Sequence, residues 1–587
     1  MRIIESITKA KEAGASLRVG PELEICGYGC LDHLLEQDLY LHSWQCLETI
    51  LKNKDCYDIL LDIGMPVLHR NNRFNCRVVL QGAIKVTIGD AVISTPDTTI
   101  GCETCEELFL PDPPHNHMSL NGVEVITNSS GSHFTLRKLH LRMQLIIEAT
   151  RKNGGVYIYA NQQGCDGDRL YSTVDLEEIR AYRFAPARGM QAVQAPAYKR
   201  IETLYSLSSE EGDRNLKVYP SLEIEPRYHS PEEEIAMCTG AYLWDYVRRC
   251  GVAGYLVPLS GGIDSCATAV IVFSMCRMVI EACKAGNEQV IADVKRLAKY
   301  GEGKIPETAE ELCNQVFHTV YMGMSKQSSK ETRQRARDLA EAIGAYHCNL
   351  DIDEVYQAQR NLIVNTLNFE PKFKVEGGSI SENLTLQNIQ ARSRMVTAYE
   401  FAQILPTTRG RPGGGSLLVL GSANVGESLR GYLTKYDCSS ADINPIGSID
   451  KSDLKRFIAW AEVNFNLPCL HDFLTAIPTA ELEPITETYV QSDEVDMGMT
   501  YDELTVFGRL RKFDKLGPYG MFQRLAHEWG PNRPRTKDDA TPVYTPKQVA
   551  DKVKLRPFLY PPFYQSLAFK CIDRELEKMG AVEEDVD

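Results

Sequence analysis

The chain has 587 residues, 43% hydrophobic and 24% charged, with a formal net charge of −15; that length calls for two or more domains, each with its own core. The acidic balance excludes a general nucleic-acid binder, whose affinity rests on phosphate neutralisation by Lys and Arg, but leaves room for a local nucleotide site. No apolar run is read as long enough to span a bilayer, the start lacks the apolar segment of a secretory signal, and 18 scattered cysteines fit the reduced thiols of a cytoplasmic chain better than a disulfide framework.

In chain order, Val123 to Thr127 and Gly155 to Ala160 are expected as buried strands, with a helix from about Arg137 to Lys152 between them. Strands alternating with helices indicate layered α/β architecture. The polar stretch 206–227, rich in Ser, Glu and Pro, is read as a linker between a domain at 1–205 and another at 228–587. Ser230-Pro231-Glu232-Glu233 then opens a helix, with Ser230 as N-cap, Pro231 at the first helical position and Glu233 completing a capping box. Further on come a strand at Tyr255 to Leu259, an apolar helix at Cys266 to Met275, and a strand at Phe317 to Met322. A helix stripe through Ala336, Leu339, Ala340 and Ile343 ends at Gly344, and Leu417 to Leu420 form a third strand. This is the pattern of a doubly wound parallel sheet, which binds ligands beyond the carboxyl ends of its strands. The final 90 or so residues, rich in Pro and Lys, are expected to be irregular.

The sharpest local signal is Ser260-Gly261-Gly262-Ile263-Asp264-Ser265, set between a strand and a helix. Two glycines let the backbone turn tightly and approach an anion. The first N–H groups of the following helix have no internal partners and can point at phosphate. Ser260 and Ser265 add hydroxyls, and Asp264, repulsive to phosphate alone, suggests a bound Mg²⁺. The absence of Gly-Lys-Ser/Thr excludes a Walker A loop; the alternative is a glycine turn of purely structural use. The segment resembles the pyrophosphate loop of the ATP-pyrophosphatases, with Pro258 and Leu259 leading into it.

Downstream, Gly421 to Glu427, Thr434-Lys435-Tyr436, Ala441 to Pro445, Lys451 and Pro478 to Leu482, with Asn388 to Met395 upstream, together resemble the NAD synthetase signature. The resemblance implies that Pro258, Leu259, Ser260, Gly261, Gly262, Ile263, Asp264, Ser265, Ser422, Lys451 and Thr479 contact ATP, with Ser260 also catalytic. It implies that Asp264 and Glu427 hold Mg²⁺, and that Arg392, Lys435 and Asp442 contact deamido-NAD⁺. The chemistry is sensible: two carboxylates suit an octahedral ion that also takes phosphate oxygens, and lysines supply point charges for a triphosphate. Singly, each residue has a plainer reading. Lys435 and Lys451 are common surface lysines, Glu427 suits a helix N-terminus, and Thr479 suits a helix cap. Gly426 stands where close relatives usually carry Asp.

In the first domain, Pro21 to Tyr28 resembles the first nitrilase motif, with Glu22 as general base. Gly101 to Leu108 resembles the nucleophile motif, with Cys105 as the attacking thiol, and Asn128 to Ser132 resembles the loop that receives glutamine, with Ser132 binding it. Cys102-x-x-Cys105 is alternatively a redox or metal pair, or Cys105 an inert thiol. Along nearly its whole length the chain is similar to the eukaryotic glutamine-dependent NAD⁺ synthetases. The implied fold is a truncated nitrilase-like α-β-β-α sandwich followed by a doubly wound parallel sheet of the ATP-pyrophosphatase type. The implied activity is ATP-dependent amidation of deamido-NAD⁺, with L-glutamine or ammonia as nitrogen source, in a cytoplasmic homo-oligomer binding neither nucleic acid nor membrane.

Four departures stand out. The family's catalytic lysine lies in a segment that is cut out between Val86 and Gly89, and the role does not pass to the nearby Lys85. The chain starts inside the family's first helix, without its first strand. Strands are missing between Tyr171 and Asp175. A C-terminal lid carrying a His-Lys pair is missing between Lys554 and Leu555. Loss of the lysine segment implies impaired glutaminase activity. Two other readings follow: a different ATP-pyrophosphatase amidotransferase, or a catalytically impaired splice form acting only as a subunit of a hetero-assembly.

Overall fold

A computed structural model describes the chain outside residues 1, 82–88, 134, 163–171, 185, 209–218, 300–303, 477–480, 485–492, 537–538, 540, 556–561 and 581–587. The chain divides into two compact units, Met1–His229 and Ser230–Asp587.

The first unit carries two sheets. In one, β1 (Leu17–Val19) runs parallel to β2 (Leu60–His69), which pairs antiparallel with β3 (Asn72–Leu80). The β2–β3 hairpin turns on Arg70 and Asn71, both at positive φ (48° and 65°), as a tight turn matched to strand twist demands. The other sheet has five strands in the order β7-β6-β5-β4-β8: β4 (Ala91–Ser94), β5 (Thr99–Thr104), β6 (Val125–Ser130), β7 (Val156–Asn161) and β8 (Lys199–Glu202). Only the β4–β5 pair is antiparallel. Strand β6 is buried at every position, as an interior strand covered on both faces must be. The helix Lys138–Asn153 joins it to β7 and ends at Gly154 with φ 57°.

The second unit is built on four parallel strands, β9 (Tyr255–Pro258), β10 (Phe317–Gly323), β11 (Tyr346–Asp351) and β12 (Leu418–Val419), in the order β11-β10-β9-β12. The chain winds outward from β9 through β10 and β11, then returns to the other side of β9 for β12. The strand order therefore reverses beside β9, and a crevice opens at that carboxyl end.

Two expectations need correction. The helix Ile263–Lys284 is, by length and composition, apolar enough to cross a membrane, with a mean hydropathy of 1.8 over its best window. It is instead the central core helix: Cys266, Ala267, Val270, Ile271 and Met275 are fully buried against neighbouring helices and the sheet, and a helix apolar on all faces belongs in such a core. The C-terminal stretch is not irregular. Helices span Tyr501–Lys512, Pro518–Glu528, Pro546–Lys554 and Pro562–Lys578 around a core of Leu504, Phe507, Phe522, Leu525, Trp529, Val549 and Ile572. Pro518 and Pro546 open helices, where the missing N–H costs nothing; read as breakers, they hide the elements they start. Elsewhere boundaries differ by a few residues. The Ser230 hydroxyl caps its helix by accepting from the Glu233 N–H at 3.2 Å.

Candidate active sites

The loop Ser260–Ser265 sits at the carboxyl end of β9. Gly261 has φ +80°, and a Cβ there would lie 2.2 Å from the Thr332 carbonyl oxygen, so only glycine fits. The Ser260 and Ser265 hydroxyls are 3.0 Å apart, and Ser260 Oγ accepts from the Gly262 N–H. The Arg335 guanidinium donates from Nε to the Gly261 carbonyl at 2.9 Å, pinning the turn from the helix Lys330–Ala342. The helix Ile263–Lys284 starts directly after Gly262, so its first N–H groups face outward from the strand end.

That loop forms one wall of a cavity of about 730 Å³. Pro258, Leu259, Ser260, Gly262, Ile263, Asp264 and Ser265 line it together with Ser422, Glu427 and Lys451, residues more than 150 positions apart in sequence. Asp264 and Glu427 converge on one amide: Asn424 Nδ2 donates to Asp264 Oδ1 at 3.1 Å and to Glu427 Oε1 at 2.9 Å. Lys451, 4% exposed, pairs with Asp264. Burial and then the Asp264 charge push the Glu427 carboxyl well above its usual range. Buried Asp493 completes the cluster; burial raises its pKa too. The Tyr501 hydroxyl reaches both Glu427 and Asp493 at 3.3 Å, and Lys451 lies 4.8 Å from the centre of its ring.

The three residues expected to contact deamido-NAD⁺ are placed differently. Arg392 and Lys435 come together, Arg392 Nε donating to the Lys435 carbonyl at 2.9 Å, and both are exposed. Asp442 is exposed but engaged: Oδ2 accepts from the Val419 N–H at 2.8 Å and Oδ1 from the Tyr399 hydroxyl at 3.1 Å. None of the three lines the cavity; their neighbours Asn388, Ala391, Arg394 and Thr434 do. Thr479 lies outside the described residues.

In the first unit, Glu22 and Cys105 meet across the two sheets. Both oxygens of buried Glu22 accept hydrogen bonds, from Asn75 Nδ2 at 2.6 Å and the Gly131 N–H at 2.8 Å. Cys105 follows β5 at φ 45°, a strained position for a side chain, and Ser130 Oγ lies 3.4 Å from its Sγ. Burial raises the Cys105 pKa and the Glu22 carboxylate adds to the rise, against the lowering effect of Ser130. Ser132 is 9% exposed, its N–H on Ser130 Oγ at 3.1 Å and its carbonyl accepting from Asn161. Behind the nucleophile, buried Glu103 accepts from the Tyr157 hydroxyl (2.6 Å) and from His115. Asn128 bridges Tyr157 to the Cys105 carbonyl. The Cys102 thiol turns the other way, toward Asp62 at 3.9 Å, so Cys102 and Cys105 are not a pair. Lys85 lies outside the described residues.

Sequence reasoning includes Asn424 and Asn128 in its motifs without giving them a role of their own, and passes over Asp493, Tyr501 and Asn75. For Asn424 a signal exists: Asn424-x-x-Glu427 has capping-box spacing, and the structure shows that box. Asp493 and Tyr501 have none, being remote from every motif.

Comparison with known proteins decides the family. A Carbon-nitrogen hydrolase model matches residues 1–176 and an NAD synthase model residues 236–513. The Saccharomyces cerevisiae glutamine-dependent NAD(+) synthetase is 51% identical over 637 positions, covering 95% of this chain and 88% of that protein. The chain belongs to the glutamine-dependent NAD(+) synthetases. The human member is 45% identical, covering 94% of the chain and 87% of its own length. The yeast alignment is longer than the 587 residues available here, so that relative carries stretches which this chain lacks. The fold matches the glutamine-dependent NAD(+) synthetase of Cytophaga hutchinsonii at TM-score 0.69 and 20% identity, over 97% of this chain and 96% of the other. It also matches the ADP complex of the Acinetobacter baumannii synthetase at TM-score 0.58 and 16% identity, over 100% and 92%. The relatives are enzymes by name, and nothing among them supports a non-catalytic subunit.

Proposed function

We propose that this family member converts deamido-NAD⁺ to NAD⁺ at the carboxyl end of β9, and that it uses free ammonia better than glutamine. The observation that carries the reading is the convergence of the phosphate loop, Asp264, Glu427 and Lys451 on one cavity. The nicotinate carboxylate attacks the α-phosphorus of ATP, and pyrophosphate leaves. Ammonia then attacks the resulting acyl adenylate and expels AMP. Loop N–H groups and Lys451 stabilise the charge that develops on the phosphates, which is the protein's main task in such transfers.

The residues fit a magnesium ion. Two carboxylates share a single amide donor, and their mutual repulsion is what a divalent cation relieves. Asp264 and Glu427 would hold it, and when bound it neutralises phosphate charge.

The glutaminase half keeps Glu22, Cys105 and Ser132, but the structure around Cys105 favours the thiol over the nucleophilic thiolate. Cytoplasmic residence and homo-oligomeric assembly belong to the same proposal; the free state of every cysteine among the described residues supports the first. The test is NAD⁺ formation from deamido-NAD⁺ and Mg·ATP, once with ammonium and once with glutamine. Turnover with ammonium and at least tenfold less with glutamine is expected. Equal rates overturn the ammonia preference, and no turnover with either overturns the synthetase reading.

A further inference from the structure

Arg394 lies on the cavity-lining stripe of the helix Ile380–Thr408, one turn beyond Ala391 and two beyond Gln387 and Asn388. Its Nε donates to the carbonyl of Met322 at 3.0 Å. Among the described residues that is its one hydrogen bond, and no carboxylate lies within ion-pair distance. The nearest acids are engaged elsewhere. Glu481 accepts from the Ser329 N–H and the Thr332 hydroxyl, and Asp353 accepts from the Ser325 N–H and hydroxyl. The side chain is half-buried, and burial lowers its pKa against the smaller opposing pull of nearby groups that include Glu481 and Asp353. A partly desolvated guanidinium without an ion-pair partner is costly, and the two terminal nitrogens that are left form the fork that matches phosphate oxygens.

The position of Met322 fixes where that fork sits. Val320 of β10 pairs with Pro258 of β9. Met322 lies two residues further along β10, just past the end of β9, and lines the same cavity as Ser260. The guanidinium is thus anchored next to the phosphate loop, on the β10 side. Glu427 and Lys451 come from segments that follow β12, and Asp264 from the start of the helix that follows β9. The other cavity-lining arginine, Arg335, is anchored in the same way, through Nε to the Gly261 carbonyl.

We infer that Arg394 is a ligand-binding residue of this site, taking phosphate oxygens of a bound nucleotide, the α-phosphate of ATP or the pyrophosphate bridge of the dinucleotide. The inference rests on the synthetase reading above. Both ligands carry the same chemistry, so the test has two arms. Dissociation constants for Mg·ATP and for deamido-NAD⁺ are measured separately on the full chain, for the parent, Arg394→Gln and Arg394→Lys, with the melting temperature recorded with and without each ligand. In the Gln variant at least one ligand is expected to weaken tenfold or more, with a correspondingly smaller ligand-induced rise in Tm. The ligand-free Tm should be unchanged or higher, because a half-buried charge without an ion-pair partner has gone. The Lys variant should recover part of the lost affinity. A weaker ATP arm assigns the α-phosphate, and a weaker dinucleotide arm assigns the bridge. If the Gln variant loses ligand-free stability and keeps both affinities, Arg394 is only a strut for Met322 and the inference is overturned. If the Gln variant does not fold, Arg394→Lys decides: it keeps the charge but not the fork, and unchanged affinity for both ligands overturns the inference equally. A parent chain that binds neither ligand overturns the synthetase reading and the inference with it.

Discussion

Gly261→Ala should be a severely damaging single methyl at the phosphate loop. Two costs add. Gly261 has φ +80°, and holding a residue with a Cβ in that region costs about 1–2 kcal/mol. The new Cβ would also lie 2.2 Å from the Thr332 carbonyl oxygen and 2.8 Å from its carbon, backbone atoms that cannot rotate away, and such overpacking costs about 1–3 kcal/mol. The expected loss is therefore about 2–5 kcal/mol if the loop keeps its place. If the loop yields, it must move off the helix Lys330–Ala342 and break the Arg335–Gly261 bond, and stability is spared while the phosphate site is lost. Gly262→Ala is the control. Its Cβ would meet only Ser260 Oγ, at 3.5 Å, so the strain is absent and the cost is that of alanine at a helix N-cap, under about 1 kcal/mol. Denaturant unfolding monitored in the second unit, with the KM for ATP in the ammonium-fed reaction, reads both outcomes. The Gly261→Ala chain should show either the stability loss or a KM raised at least tenfold. A variant within about 0.5 kcal/mol of the parent with an unchanged KM would refute the steric argument.

Cys105→Ser should abolish glutamine-dependent NAD⁺ formation and leave the ammonium-dependent rate intact; loss of both would show that the thiol also matters to the second unit. Because burial and the Glu22 charge raise the Cys105 pKa above the usual cysteine range, the thiol form dominates at neutral pH, so its alkylation by iodoacetamide should keep climbing as the pH rises past neutrality. A plateau near neutrality would contradict the assigned environment. Glu427→Gln removes a carboxylate repelled by Asp264, so the free chain should keep its stability while half-maximal activity needs at least tenfold more magnesium; an unchanged magnesium requirement would remove Glu427 from the ion site. Fully buried His318 has its pKa pushed down to about 3 by burial and the Arg409 charge. The unfolded chain therefore binds the extra proton between pH 6.5 and 3, and the stability held by the neutral ring is complete above pH 6.5 and is lost as pH falls through that window. His318→Gln should flatten the acid limb of the stability curve, and an identical acid limb would refute the assignment.

The second unit's framework was legible because its signals were local. Tyr255 to Leu259, the glycine pair and the apolar run behind it are contiguous, and each has one structural solution. The pairing of Asp264 with Lys451 was not legible, since nothing in a lysine at a helix start says that it is 4% exposed. The C-terminal helices were missed for a related reason. Their apolar faces are short, and each turns toward a core assembled from its neighbours, so no single segment announces it. In the first unit the motifs placed Glu22 and Cys105, but the groups that hold them, Asn75 on β3 and Asn128 on β6, are strand polar residues whose facing depends on register. A shift of one residue would send each to the other face, and register became readable only with the β2–β3 pairing of Pro66 with Asn75.

The two sites respond differently to the block losses. The synthetase site draws its donors from segments that follow β9, β10 and β12, and those strands, with the helix Ile263–Lys284 behind them, form a closed, fully buried framework. If the C-terminal lid that the resemblance implies is absent, that framework and the loop geometry stay in place and the penalty falls on substrate affinity. The glutaminase site depends on the balance of charge around one thiol. Glu22 faces Cys105 with its own oxygens already bound by Asn75 and Gly131, and its charge raises the thiol pKa. A cation near the sulfur is what reverses that balance, and the resemblance to the family implies that the segment carrying its lysine is shortened in this chain. Restoring a lysine on a loop reaching the Glu22–Cys105 pair should therefore lower the thiol pKa and raise glutamine-dependent turnover, while ammonium-dependent turnover stays where it was. Parallel gains in both rates would show instead that the insertion acts through folding of the chain rather than through the thiol.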